Sequence, residues 1–203
     1  MNSKVVIYIH GKGGSGSEAE QYCSLFPDCD VIGLDYRAQT PWDAVEEFPK
    51  LFDAACGKYA SVVLVANSIG AYFAMIALAG KSIEKAYFIS PIVDMPRLIT
   101  DMMIWAKVTE GELREKGEIE TVFGETLSWE YLFYAREHPI RWMVPTHIIY
   151  GEKDDLTSLQ TVSAFAERIG ATLTVMPDGE HWFHTAEQMA FLDRWIFDPK
   201  SRQ

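Results

Sequence analysis

Apolar residues fall along this chain in two kinds of run. Short and nearly unbroken ones occur at Val5-Val6-Ile7-Tyr8-Ile9, 30–36, 59–67, 85–91, 146–151 and 171–176. Their length and β-branched content suit strands covered on both faces. Between them lie longer stretches with helical spacing: 18–25; 41–56, opening on Pro41 and closing at Gly57; 69 to about 79, before Gly80; 158–169, before Gly170; and 185–196, with Phe191, Leu192, Trp195 and Ile196 on one side. Strands that alternate with helices predict an α/β architecture of three layers, a mostly parallel sheet of about six strands with helices on both faces.

From about 94 to 143 the alternation stops. Leu98, Ile99, Met102, Met103 and Trp105 have helical spacing, a charged stretch runs from Glu110 to Glu120, and an aromatic helix centres on Trp129, Tyr131, Leu132, Phe133 and Tyr134. An excursion of this size is too long for a simple crossover. It predicts a helical cap over the carboxyl edge of the sheet, inserted into a single domain that spans 1–203, with the charged stretch as its solvated face. Most of its aromatics are expected to hold the cap to the body, and Trp105 and Trp129 are candidates for a pocket wall.

Charge and cysteine content narrow the class. The 203 residues carry a formal net charge of −11, which argues against nucleic acid or an anionic membrane surface as a partner. Cys23, Cys29 and Cys56 match neither a zinc site nor a disulfide framework and fit a reducing compartment. No apolar run approaches the length of a membrane span, and the opening strand is too brief for a signal-peptide core, so a cytoplasmic protein is expected.

The chemistry centres on Ala66-Asn67-Ser68-Ile69-Gly70, where a buried strand meets a helix with no room for an ordinary loop. That is the nucleophile-elbow pattern G-x-S-x-G with alanine in the first position. A serine there is also a good helix N-cap, so the elbow gains meaning only if an acid and a histidine follow later strands. They do. Glu152-Lys153-Asp154-Asp155 follows the fifth strand and Asp178-Gly179-Glu180-His181 the sixth, so in an open parallel sheet all three gather at one edge. Histidine takes the serine proton, and a carboxylate fixes the imidazole tautomer. Rivals stand beside each choice: Asp155 or Asp94 for the acid, His184 for the base. His138 and His147 read as structural. The glycine loop 10–17 lacks both the P-loop and the G-x-G-x-x-G spacing. It reads instead as a loop whose Lys12 amide, with that of Ile69, would form an oxyanion hole, braced by His10.

With these motifs in their order, the chain resembles the α/β-hydrolase superfamily over nearly its whole length. His10-Gly11 ends the first strand, the elbow stands at Ser68, Gly151-x-x-Asp154 follows the fifth strand, and Gly179-x-His181 the last. The resemblance implies Ser68 as nucleophile, Asp154 as acid, His181 as base, and the amides of Lys12 and Ile69 as oxyanion donors. It implies a serine hydrolase acting on a carboxylic ester or similar small acyl substrate, with His10, Trp182, Trp105 and Trp129 near the pocket, and with no cofactor or metal. The same fold also hosts C–C hydrolases, lyases and cofactor-free haloperoxidases, and a non-catalytic binding protein is a further alternative.

Overall fold

A computed structural model describes residues 3–197. Six parallel strands form the main sheet: β1 (Lys4–Ile9), β2 (Asp30–Gly33), β3 (Ser61–Asn67), β4 (Lys85–Ile89), β7 (Thr146–Gly151) and β8 (Thr172–Met176), in the spatial order β2-β1-β3-β4-β7-β8. The order reverses at β1. From there the chain steps outward to β2, then returns past β1 to β3 and continues in the opposite direction. A right-handed crossover places its connection on the face set by the direction of travel. The segment between β1 and β2, a 3₁₀ helix at Gly16–Leu25, therefore lies on one face. The helices α1 (Pro41–Cys56), α2 (Ile69–Ala77) and α6 (Leu159–Ile169) lie on the other, and α7 (Ala186–Phe197) returns to the first. Alternate strand residues fill the two cores. Val5, Ile7, Ile9, Leu64 and Ala66 meet α1 and α2, while Val6, Tyr8, Val63 and Val65 meet the 3₁₀ segment and α7.

The helix ends follow local chemistry. Thr40 accepts from the Asp43 amide at the start of α1, and Ser158 from the Thr161 amide at the start of α6, which stops at left-handed Gly170. The stretch before β2 forms a 3₁₀ helix instead of an α-helix, and β2 ends at Gly33, short of the predicted 36.

Between β4 and β7 stand α3 (Met95–Ala106), α4 (Glu110–Lys116), a two-stranded antiparallel hairpin of β5 (Glu118–Glu120) and β6 (Thr126–Ser128), and α5 (Trp129–Glu137). The hairpin was not anticipated, because strands of three residues carry no readable alternation. Its turn returns to the body of the protein through a salt bridge from Glu125 Oε1 to Lys12 Nζ, 2.6 Å. Trp42, in the first turn of α1, packs against Tyr131 and Tyr134 of α5, with ring centroids 6.0 and 5.5 Å apart.

One buried base sets a pH dependence. His147 in β7 is 7% exposed, its Nδ1 lies 2.7 Å from Thr172 Oγ1, and burial, aided by Lys85, holds its pKa below the usual histidine value. The unfolded chain therefore binds this proton more readily than the folded one, and the destabilisation begins as pH falls through the unfolded histidine pKa near 6.5. Denaturant unfolding of the wild type should lose stability from pH 7 to 5. His147→Gln should lose less over the same interval; equal slopes would contradict this assignment.

Candidate active site

Where the strand order reverses, the carboxyl ends of β1 and β3 lie side by side, the place where open parallel sheets gather their functional loops. Ser68 stands there, between β3 and α2, with φ 51° and ψ −122°. A non-glycine residue in that region stores on the order of 1–3 kcal/mol of strain. Its neighbours hold it: the Ser68 N–H donates to Ile89 O at 3.0 Å, and its carbonyl accepts from the amides of Ala71 and Ile92 at 3.1 and 3.2 Å. Gly70 is a matter of clearance, since a Cβ there would sit 2.2 Å from His10 O. Ala66 pairs in register with Ile9 and Phe88 and is fully buried, so a methyl is accommodated where the motif has its first glycine.

Ser68 Oγ lies 2.8 Å from His181 Nε2, and His181 Nδ1 lies 2.7 Å from Asp154 Oδ2. The Asp154 side chain is completely buried, and its Oδ1 accepts from the amides of Leu156 and Thr157 at 2.9 and 3.1 Å. An ionised carboxylate only accepts hydrogen bonds. Nδ1 of His181 must then carry the proton, which leaves Nε2 as the acceptor for the serine hydroxyl. Among the rivals, Asp155 is exposed, Asp94 is exposed and caps α3 by accepting from the Arg97 amide, and the His184 ring meets Trp182 O at 2.7 Å.

The turns bearing the acid and the histidine are joined to each other. Lys153 N donates to Gly179 O at 2.7 Å, and Asp178 N to Glu152 Oε2 at 3.1 Å. They touch at Gly151, where a Cβ would come within 2.4 Å of Glu180 O and 2.5 Å of Gly179 O.

Next to Ser68 passes the loop that follows β1, so close that a Cβ at Gly11 would come within 3.3 Å of the Ser68 Cβ. His10 is buried, stacks on Tyr36 at 4.1 Å, and its carbonyl accepts from the Tyr36 hydroxyl at 2.7 Å. Further along, Glu18 accepts from the Ser15 amide and from the Tyr8 hydroxyl, and Asp35 from the Gly16 amide. Burial raises the Tyr8 and Tyr36 hydroxyls well above the usual tyrosine range, so both remain donors. Sequence reasoning missed these braces, since nothing in the spacing of Tyr8, Glu18 and Tyr36 reveals that they converge on one loop. Trp182 is largely exposed and stacks on His184; Trp105 packs edge-on against Phe123; Trp129 lies under the Arg114 guanidinium. Among the described residues no cluster of His, Cys, Asp and Glu is placed to hold a metal ion, and no helix is long and apolar enough to cross a membrane.

No family model matches the sequence, and no curated protein matches it. Solved structures do. Est1E from Butyrivibrio proteoclasticus superposes with a TM-score of 0.77 at 19% identity, over 96% of this chain and 86% of that one. The chain has the α/β-hydrolase fold. A second structure of this fold, the alpha/beta hydrolase domain-containing protein 10 from mouse, gives a TM-score of 0.76 at 18% identity over 98% of this chain and 90% of that one. An esterase of Pyrococcus furiosus, Pf2001, gives 0.61 at 20% identity, over 97% and 80%. In the α/β-hydrolase fold of this chain, the strand-order switch, the strained serine and the two later turns occupy one edge of the sheet.

Proposed function

We propose that the protein is a serine hydrolase that cleaves a carboxylic ester or similar small acyl compound through an acyl-enzyme on Ser68. The reading rests on the continuous hydrogen-bonded path from the Ser68 hydroxyl through His181 to the buried Asp154 carboxylate. Among the similar structures, Pf2001 is named an esterase, and Est1E has been solved with ferulic acid bound.

In the proposed cycle, His181 Nε2 takes the hydroxyl proton as Ser68 Oγ attacks the acyl carbon. The negative charge that develops on the acyl oxygen is met by the amides of Lys12 and Ile69. As the first residue of α2, Ile69 has an N–H with no intrahelical acceptor and lies at the positive end of the helix dipole. His181 then protonates the leaving alkoxide, and in the second half activates water to release the acid. Asp154 keeps its charge throughout and stabilises the imidazolium. The segment 94–143 acts as a cap, with Trp182 and the pair Trp105 and Phe123 as apolar surface for the acyl or alcohol portion.

A fluorophosphonate probe should form a covalent adduct on Ser68 of the folded protein, detected by intact mass and peptide mapping, and Ser68→Ala should take up none. Wild type that stays unlabelled, or labelling that persists in the variant, would reject the reading. On the labelled enzyme, hydrolysis of p-nitrophenyl acetate should fall in proportion to occupancy.

A further inference from the structure

A cavity of ≈ 640 Å³ lies away from the triad, between the start of α3, the end of α5 and one side of α6, with Tyr72 of α2 in its wall. Neither Ser68, Asp154 nor His181 lines it. Its volume falls within the range that encloses a small organic ligand, on the order of 300–1,000 Å³. Val93, Met95, Ile140 and Phe165 give it apolar walls.

The chain carries −11 overall, yet three arginines, Arg97, Arg136 and Arg168, line this cavity against one carboxylate, Asp94. Asp94 already caps α3 through the Arg97 amide. Two of the arginines have carboxylate partners: Arg97 pairs with Asp101 at 3.0 Å, and Arg136 holds Glu110 in a bidentate contact at 2.7 and 2.8 Å. Arg168, in the last turn of α6, lies over the Phe165 ring at 5.2 Å and has no ion-pair partner among the described residues. A guanidinium resting on an aromatic face keeps its planar fork of N–H donors available to an oxyanion.

Tyr72 also lines the cavity. Tyr72 is 2% exposed, and its hydroxyl has no hydrogen-bond partner in the protein. Burial raises its pKa, so it keeps its proton. Leaving such a group unpaired costs on the order of 1–3 kcal/mol, and with its oxygen closed to solvent it offers the cavity no exposed donor, so the charged contacts fall to the arginines.

We propose that this cavity is a second binding site, independent of Ser68, for an organic anion that carries a carboxylate or phosphate head on an apolar body. Arg168 supplies the main charge-assisted contact, and Phe165 with Met95 and Ile140 surrounds the body.

Two probes separate the head groups: 4-phenylbutyrate and phenyl phosphate, titrated into the full chain by calorimetry, with 4-phenylbutylamine as the cationic counterpart. At least one anion should bind saturably with one site per chain, and the amine should not. The tighter anion identifies the head group. Arg168→Gln should weaken that binding by about 10-fold or more, the loss expected for a charge-assisted contact, while Arg168→Lys retains part of it. Ser68→Ala should bind as the wild type does, whatever the outcome of fluorophosphonate labelling. Circular dichroism melts confirm that the variants fold. Absence of saturable binding by either anion, an Arg168→Gln affinity within twofold of wild type, or loss of binding in Ser68→Ala would overturn the proposal.

Discussion

Asp154→Asn is expected to lower kcat for p-nitrophenyl acetate by about 10⁴-fold, while Asp155→Asn stays within a few-fold of wild type. The two carboxylates are adjacent in sequence and differ entirely in surroundings. Asp154 is buried, receives two backbone amides on Oδ1 and faces His181 Nδ1 with Oδ2; Asp155 is exposed. An amide in place of the Asp154 carboxylate keeps the shape. If its oxygen stays on the Leu156 and Thr157 amides, its NH₂ group faces Nδ1, and the imidazole must turn that nitrogen into an acceptor. Nε2 then carries the proton and can no longer take one from Ser68. The loss should appear in kcat with KM little changed, because Nδ1 is turned to the buried Asp154 carboxylate on the side of the ring opposite Ser68. A larger loss in Asp155→Asn than in Asp154→Asn would contradict the arrangement.

Gly151→Ala should have the second large effect, and it acts at no reacting atom. The added methyl would occupy space now held by the carbonyls of Gly179 and Glu180, both closer than any relaxed Cβ contact. The turn that ends in His181 must move away from the turn that carries Asp154. A displacement of about 1 Å in a catalytic group costs on the order of 10²-fold in rate. The expected result is a fall of that size in kcat/KM, together with a lower melting temperature. Gly80→Ala is the control, because a Cβ there meets nothing within 4 Å. Full activity in Gly151→Ala would mean that the two turns yield without separating the side chains.

The architecture was largely readable because parallel strands buried on both faces leave long apolar runs, and the elbow, the acid turn and the histidine turn each follow such a run. In-register pairing then brings Ser68, Asp154 and His181 together. Asp154 could not be separated from Asp155 in sequence, since only burial and the two amides on Oδ1 distinguish them. The hairpin of β5 and β6 was hidden because three-residue strands have no period, and the 3₁₀ segment because its polar and apolar residues fit an α-helix equally well. The arginine-lined cavity was hidden for a different reason. Its walls come from four helices and the loops before α3 and after α5, whose facing sides are set by packing alone.

The contact between Lys12 and Glu125 ties the amide loop beside Ser68 to the turn of the inserted hairpin, with both side chains well exposed to solvent. An ion pair so placed contributes little, up to about 1 kcal/mol, and is screened by salt. The loop beside Ser68 is therefore fastened to the inserted hairpin by a catch weak enough for thermal motion to undo, with no rearrangement of the body behind it.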